Sequence, residues 1–317
     1  MNSSSEIFRE VRMRPWLGAL SGGLCFAAFG LVSASAVSVT DTTGWNAWKT
    51  TAGVVMTDPA ADQQTGQGQD DFVGTLTSGQ EGFQQKAGLL DTDSANKYIV
   101  FRVRMGKYDS VHGFGGNLSL GLDLTGTGAI NLIMDMQDKS GQTLSFASPG
   151  TGANTSPSTT SWGNFAGSIA LNSTAGSPIT YNYQAATGGT VGSYTATGNA
   201  WVTFAISYAN LQAAIRAYAG ASFSSFTMSD STPLSFIAFT STQGNAINQD
   251  LFGTSGNMNS ASTFSSLGAG TMQILPGGGP VPELPAFYQL AGLFGVGLAG
   301  WFWKNRRRQV ELQPAQA

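Results

Sequence analysis

The stretch NLSLGLDL (residues 117–124) decides the fold, because a leucine stands at every second position of it. Side chains of a β-strand point alternately to opposite faces of a sheet, so a period of two predicts a strand with one apolar face. The next run, residues 130–136, carries an apolar residue at each even position. We therefore expect two strands whose even-numbered side chains point into a core.

Similar alternation continues on both sides of this pair. The other candidate strands are residues 97–105, 201–208 and 234–240, with shorter ones near Phe72, Phe83, Leu144 and residues 181–183. Gly, Asn, Ser and Pro separate these runs, as they do in turns. Strands and turns with little helix between them predict an all-β fold, either an antiparallel β-sandwich or a jelly roll.

One short packing helix is expected at an end of the sandwich. Asn210 is its predicted N-cap, and Gly220 follows its predicted end. Leu211, Ile215 and Tyr218 recur at helical spacing and would form the face that packs on the sheets.

The body of the chain is mildly acidic and unevenly charged. Residues 37–282 contain eight Lys/Arg and 14 Asp/Glu, a net charge of −6. Nucleic-acid binding requires a basic surface, so this balance excludes it. Residues 140–270 carry only three charges, at Arg216, Asp230 and Asp250, among Ser, Thr, Gly and aromatic residues. A disordered chain would have few aromatic residues, so we predict one secreted β-sandwich domain over residues 37–275.

The segment DLTGTGAIN (residues 123–131) is similar to a calcium-binding loop, in which oxygen ligands alternate along the chain. Asp123, Thr125, Thr127 and Asn131 would be the ligands of a structural Ca²⁺. Hydroxyl groups replace the usual carboxylates at two of these positions, which favours the alternative of a plain β-hairpin turn. Apart from this Ca²⁺, no cofactor is expected.

A second acidic set precedes this loop. Its members are Asp58, Asp62, Asp70, Asp71, Asp91 and Asp93. Residues 91–96 are spaced for a surface calcium clasp, but Asp, Ser and Asn are also turn residues, and the turn is the favoured interpretation. Calcium would be useful physically, because the predicted mature chain lacks cysteine and cannot form a disulfide.

Aromatic and titratable side chains define the remaining candidate sites. Trp45 and Trp48 would stack on sugar rings if they are exposed, although aromatic residues usually pack in a core. His112, the single histidine, has Asp109 nearby in the sequence, but no Gly-x-Ser-x-Gly motif accompanies it. Glu81 is the single glutamate of the body, so paired carboxylates for glycoside hydrolysis would have to rely on Asp. We therefore expect no enzymatic activity.

The N-terminal residues 1–36 have the three parts of a secretory signal peptide. Arginines precede an uncharged apolar stretch, and the small-x-small pattern of Ala34 and Ala36 closes it. Cleavage is predicted after Ala36. An uncleaved N-terminal anchor is the alternative.

The C-terminal end has the order of a membrane anchor. Residues 276–285 form a Pro/Gly linker, and residues 286–303 form an uncharged stretch. As a helix this stretch is roughly 27 Å long, close to the ~30 Å hydrocarbon core of a bilayer. Residues 304–317 include a cluster of basic residues, which stay cytoplasmic. The topology places the body outside the cell and residues 304–317 inside.

This tail resembles the PEP-CTERM sorting signal, which is processed by exosortase. Val281, Pro282 and Glu283 match the sorting motif of that family, and Leu284 stands where the family has a proline. The resemblance implies a Gram-negative organism with an extracellular polysaccharide matrix (a biofilm) and an exosortase-like transpeptidase as a partner. A variant sorting system and a plain membrane anchor are the alternatives.

The sequence thus predicts an exported, non-enzymatic protein with a structural or adhesive role. Its partners would be the export machinery, the exosortase-like enzyme, the membrane through the C-terminal helix, and the extracellular polysaccharide (exopolysaccharide). It would be anchored in the membrane before processing and then reach the cell surface or extracellular matrix. A carbohydrate-binding, lectin-like module is the main alternative, and a secreted polysaccharide hydrolase is the third.

Overall fold

Two antiparallel β-sheets and one short α-helix form the folded body of this protein. The structure, a computed structural model, describes residues 36–65, 67–137, 142–172, 177–254, 263–267 and 270–273. Its strands are β1 (Asn46–Ala47), β2 (Phe83–Leu90), β3 (Asp93–Met105), β4 (Asn117–Asp123), β5 (Leu132–Gln137), β6 (Thr143–Ala147), β7 (Gly167–Ala170), β8 (Tyr181–Ala185), β9 (Ala200–Ser207), β10 (Pro233–Ser241), β11 (Asp250–Leu251) and β12 (Gly270–Gln273). The helix is α1 (Tyr208–Tyr218), and short 3-10 helices cover Ala221–Phe223 and Phe264–Leu267.

The strands divide into two sheets of different order. Sheet one has the order β1-β2-β3-β9-β8, and sheet two has the order β11-β10-β4-β5-β6-β7, with β12 also paired to β10. Every pair of these strands is antiparallel. The all-β prediction is therefore confirmed, and the two packed sheets with one helix are those of a β-sandwich.

Aromatic side chains from both sheets meet in the core between them. Phe101 of β3 contacts Phe204 of β9 and Phe236 of β10, with ring centroids 5.3 and 5.2 Å apart. Trp48, just after β1, lies 5.2 Å from the same Phe236 ring. These rings belong to one continuous cluster of buried residues. Burial of such large apolar surfaces is the main force that holds the sheets together.

The leucines of residues 117–124 lie where the alternation places them. Leu118, Leu120 and Leu122 are fully buried in this core. Strands β4 and β5 form an antiparallel hairpin that pairs Leu118 with Met136 and Leu122 with Leu132. The hairpin interpretation of residues 123–131 is thus confirmed for the backbone.

Ile130 does not lie on the same face as the other even-numbered apolar residues of its run, Leu132, Met134 and Met136. It packs in a separate cluster on the outer face of sheet two, with Ile133 and Phe239. The strand begins only at Leu132, so residues before it belong to the turn, where the period of two does not apply. The expectation that Ile130 shares a face with Leu132 was wrong for this reason.

Helix α1 confirms the predicted helix but begins earlier than expected. Ser207 is the N-cap, and its side chain accepts a hydrogen bond from the backbone N–H of Asn210. The predicted cap Asn210 is therefore already inside the first turn, because the helix starts directly where β9 ends. Leu211 and Ile215 are buried as predicted and join the core between the sheets.

The predicted strand near Phe72 is reduced to a single β-bridge with Met105. Its neighbour Gly74 makes another single bridge, with Asp58. The described part of residues 56–74 therefore forms isolated bridges, one within the segment and one to β3, and contributes no continuous strand.

The outer face of sheet one is covered, which buries two arginines of β3. Arg102 lies between two indole rings, with its Cζ atom 4.2 Å from the ring centroids of both Trp45 and Trp201. Arg104 stacks on Trp201 at 4.3 Å and donates hydrogen bonds to backbone carbonyls of Gly189 and Thr187. Cation–π stacking and carbonyl acceptors together replace the water that these guanidinium groups lose.

The buried Asp135 on β5 is expected to make the stability of the fold depend on pH. Its carboxylate is fully buried and accepts hydrogen bonds from Ser119 and Gln137 at 2.5 and 2.7 Å. Burial raises its pKa to about 6, so the folded state binds this proton more tightly than the unfolded state does. Asp135 therefore costs stability when it is ionised above pH 6, and that cost disappears as the pH falls toward 4.

We expect Asp135→Asn to raise the free energy of unfolding by about 1–2 kcal/mol at pH 7.5, with the gain shrinking toward pH 4.5. Urea unfolding at both pH values measures this difference. The exposed Asp91→Asn serves as the control and should leave stability unchanged at either pH. An Asp135→Asn protein that is less stable than wild type at pH 7.5 would contradict the expectation.

Within the described residues, no helix is both long enough and apolar enough to cross a bilayer. The predicted membrane helix, residues 286–303, lies outside the described residues. The predicted signal peptide does too, except for Ala36.

Candidate functional site

Three aspartates meet where residues 56–74 approach strand β11, and we call Asp58, Asp62 and Asp250 the acidic cluster. One carboxylate oxygen of each lies within 4.8 Å of the corresponding oxygens of the other two. Asp58 and Asp250 are only 1% and 2% exposed, whereas Asp62 is partly exposed. The cluster thus combines two buried aspartates with one that is partly exposed.

Backbone hydrogen bonds hold the buried members of the cluster in place. Asp58 pairs with Gly74 through two backbone hydrogen bonds of 3.0 and 2.9 Å. Its Oδ1 atom accepts a hydrogen bond of 2.5 Å from the backbone N–H of Gly253. Asp250 is the first residue of β11. Its carboxylate accepts hydrogen bonds from the backbone N–H groups of Phe72 and Leu251, at 2.6 and 2.7 Å. The carboxylates therefore already connect residues 56–74 with the β11 region.

One oxygen of the cluster is buried without a partner. Within the part of the chain that the structure describes, Asp58 Oδ2 has no hydrogen-bond partner, and the same holds for Oε1 of Gln63. The amide nitrogen of Gln63 donates to the Tyr194 hydroxyl at 3.3 Å, which fixes the side chain. Buried polar atoms nearly always have a partner in a folded protein, so the unpartnered Oδ2 of Asp58 indicates a ligand or solvent at the cluster.

Burial and mutual repulsion make it unfavourable for the three aspartates of the cluster to be ionised together without a counter-ion. Burial, followed by the negative charge of Asp250, raises the pKa of Asp58 well above its ordinary value. Burial, followed by the charge of Asp62, raises the pKa of Asp250 in the same direction. Neither Asp58 nor Asp250 takes part in the ion pairs that the described residues form. Buried carboxylates at this separation need either protons or a cation.

Asp71 borders the acidic cluster and shapes the turn between Asp58 and Asp62. Its carboxylate accepts hydrogen bonds of 2.9 and 3.2 Å from the backbone N–H of Ala61. Ala61 has a φ of 68°, which residues with a Cβ atom rarely adopt. Burial raises the pKa of Asp71 to about 6. The fourth carboxylate thus holds a strained turn and adds to the negative potential of the cluster.

The four predicted ligands of the calcium-like loop are engaged within their own turn. Asp123 accepts hydrogen bonds from the backbone N–H groups of Thr125, Gly126 and Gly128, at 2.9, 2.8 and 2.6 Å. The hydroxyls of Thr125 and Thr127 bond each other at 2.7 Å. Asn131 accepts from the backbone N–H of Leu124 at 2.8 Å. These contacts are those of a closed hairpin turn, and calcium binding there stays a prediction.

The two tryptophans predicted to contact glycans occupy different environments. Trp48 is 3% exposed and stacks on Phe83, with ring centroids 3.6 Å apart. Trp45 is partly exposed, and its ring contacts the charged groups of Arg102 and Lys86 at 4.2 and 4.8 Å. Trp48 therefore has a packing role in this structure, and Trp45 is the one with an accessible surface.

The remaining polar candidates form local hydrogen bonds. Asp93, the first residue of β3, accepts hydrogen bonds from Asn96 and Tyr98 at 2.9 and 2.8 Å. Of the predicted turn at residues 91–96, only residues 91 and 92 form the turn between β2 and β3, and residues 93–96 belong to β3. Asp109 accepts from the backbone N–H of His112 at 3.0 Å and contacts the ring Nδ1 at 3.2 Å. The His112 side chain is 79% exposed. The pair is explained by the turn alone.

The predicted export signals lie almost entirely outside the described residues. Ala34 of the predicted cleavage pattern and the sorting residues Val281, Pro282 and Glu283 fall in ranges that the structure does not describe. Ala36 is described and exposed.

Asp250 was missing from every sequence-based site, although Asp58 and Asp62 were noted. It is 178 positions from Phe72, to which its side chain is hydrogen-bonded, so no spacing rule joins the two. One signal was available, because Asp250 is one of only three charged residues between positions 140 and 270. An isolated carboxylate beside a buried strand needs a partner.

Neither a protein-family model, nor a curated protein, nor a solved structure matches this chain.

Proposed function

We propose that this chain is a non-enzymatic exported protein of the cell surface or extracellular matrix, with a structural or adhesive role. The observation that carries the proposal is the order of the C-terminal tail. Val281, Pro282 and Glu283 precede an uncharged stretch and a basic end, which resembles a PEP-CTERM signal read by an exosortase-like enzyme. The uncharged stretch would anchor the protein in the membrane until processing.

The start of the sandwich supports the proposed cleavage after Ala36. Val37 is the first buried residue of the described chain, at 3% exposure. Its backbone N–H donates a hydrogen bond of 2.8 Å to the carbonyl of Leu89, and its carbonyl accepts one of 2.9 Å from the backbone N–H of Asp91. After cleavage the new amino group would keep this donor position, so the mature N-terminus would already be seated on sheet one.

A structural role is further supported by how the polar side chains of the sandwich are used. Arg102 and Arg104 stack on indole rings, Asp123 closes a hairpin, and Lys86 forms a 2.7 Å ion pair with Asp41. Each of these groups stabilises the fold locally. A rigid sandwich that displays long Ser/Thr/Gly loops suits a component of a polymer matrix.

Mass spectrometry of the protein isolated from its native host tests the proposal. We expect a mature chain that begins at Val37 and ends near Glu283, recovered from the cell surface or matrix. Substituting Glu283→Ala should leave the full tail, including residues 306–308, in the membrane fraction. A wild-type protein that retains residues 306–308 would contradict sorting and show a plain membrane anchor.

A further inference from the structure

The acidic cluster has the dimensions of a cation site. Oxygen ligands bind Ca²⁺ at about 2.3–2.6 Å, so two ligands on opposite sides of one ion are at most about 5 Å apart. The cluster oxygens of Asp58, Asp62 and Asp250 lie within 4.8 Å of one another. One ion placed among them can therefore contact all three carboxylates without any large movement of the chain.

The unpartnered oxygen of Asp58 is independent of that spacing and points to the same ligand. Asp58 is 1% exposed, its Oδ1 is taken by Gly253, and its Oδ2 lacks a partner among the described residues. A bound cation would satisfy Oδ2 and neutralise most of the charge of the cluster. Both oxygens of Asp250 accept backbone N–H groups, and each keeps a second lone pair for a metal.

The chemistry of the ligands favours calcium. Carboxylate oxygens are hard ligands, whereas Zn²⁺ and Cu²⁺ sites in proteins usually include His or Cys. Mg²⁺ requires a near-ideal octahedron and keeps most of its water, which suits a mostly buried site poorly. Ca²⁺ accepts six to eight oxygens in flexible geometry. The three aspartates leave positions on such an ion that backbone oxygens or water molecules would fill.

We propose that Asp58, Asp62 and Asp250 bind one Ca²⁺ that fastens residues 56–74 to strand β11. In its described part the fastened segment forms isolated β-bridges, Asp58 with its own Gly74 and Phe72 with Met105, so it gains more from a metal than a continuous strand would. The predicted mature chain has no cysteine for a disulfide, and the ion supplies the missing cross-link. The site is distinct from the loop at Asp123 and does not depend on how the protein is exported.

Thermal unfolding of the full chain, purified in mild detergent and stripped with EGTA, tests this site. Calcium at about 100-fold above its Kd is expected to raise Tm by about 5–10 °C, and Mg²⁺ at the same concentration by much less. Isothermal titration with CaCl₂ should give one ion per chain. Absence of both a Tm shift and binding heat up to 10 mM CaCl₂ would overturn the proposal.

Asp→Asn variants of similar size show which aspartates are responsible for the calcium-dependent shift in Tm. Asp58→Asn and Asp250→Asn should abolish the calcium-dependent shift. In EGTA Asp58→Asn should melt at or above the wild-type Tm, because it removes a buried charge that has no counter-ion and keeps an oxygen for the N–H of Gly253. Asp250→Asn should melt below Asp58→Asn in EGTA, because its amide nitrogen would replace one of the two oxygens that accept backbone N–H groups. Asp123→Asn is the matched control and should keep the full shift. A shift that survives in both cluster variants, or that Asp123→Asn alone removes, would place the ion elsewhere.

Hydrogen exchange of the wild-type protein provides a test that requires no variant to fold. Calcium should slow amide exchange at least tenfold in residues 56–74 and 250–253, where the N–H groups of Phe72 and Gly253 donate to the carboxylates of Asp250 and Asp58. Exchange in residues 123–131 should not change. Protection confined to residues 123–131 would refute the proposed site and favour the hairpin loop.

Discussion

Replacing Trp48 with alanine is expected to lower the free energy of unfolding by about 3–5 kcal/mol, the usual cost of deleting a large buried aromatic side chain. The ring is 3% exposed and lies against Phe83 and Phe236, at centroid distances of 3.6 and 5.2 Å. Its removal would leave a cavity between the two sheets, where close packing prevents full collapse. Urea unfolding of the purified protein measures the loss.

The conservative variant Trp48→Phe separates packing from hydrogen bonding. The indole Nε1 atom has no hydrogen-bond partner among the described residues, so phenylalanine removes volume but breaks no hydrogen bond. We expect it to cost about 1–2 kcal/mol. If Trp48→Ala unfolds with unchanged stability, the ring does not belong to the core.

This result also bears on the carbohydrate-binding alternative. Sugar stacking requires an exposed ring face, which Trp45 has in part and Trp48 lacks. Loss of glycan binding in Trp48→Ala would therefore reflect unfolding. Loss in a folded Trp45→Ala protein would favour a lectin-like module.

The second large effect is expected for Gly74→Ala. A Cβ atom at this position would lie 2.4 Å from the backbone nitrogen of Gly82 and 2.5 Å from its Cα atom. Atoms of a backbone cannot rotate away as a side chain does, so residues 72–74 would have to move away from the start of β2. We expect a loss of about 3 kcal/mol, at the upper end of the cost of overpacking.

The matched control is Gly163→Ala, where no atom lies within 4 Å of the added Cβ. That substitution should be neutral or should stabilise by about 0.4–1 kcal/mol through the unfolded state. Equal unfolding midpoints for Gly74→Ala and Gly163→Ala would contradict the close approach at Gly82. Because Gly74 pairs with Asp58, Gly74→Ala should also weaken the calcium-dependent shift in Tm.

The sequence alone predicted elements that depend on neighbours along the chain. Leucines at alternate positions indicated β4 and its hairpin with β5, because strand periodicity is local and does not depend on the rest of the fold. The apolar spacing of Leu211 and Ile215 indicated α1 for the same reason. The predicted N-cap was Asn210, whereas the observed one is Ser207, because the end of β9 determines where the helix begins.

Local sequence patterns could not predict that the outer face of sheet one is buried at Arg102 and Arg104. Arg102 and Arg104 alternate with apolar residues in β3, which is typical of a face open to solvent. In the structure both are almost fully buried, because Trp45 covers Arg102 and the carbonyl groups of Thr187 and Gly189 accept from Arg104. Periodicity reports which residues share a face and carries no information on what covers that face.

The sequence by itself thus determined the class of fold, through side-chain periodicity, and the patterns at its two ends from which export is predicted. The tertiary structure alone decided which carboxylates meet. Asp58 and Asp62 had been noted within an acidic set, but only the position of β11 at the edge of β10 brings Asp250 to them. Contacts of this kind follow from the packing of distant segments, and no spacing along the chain encodes them.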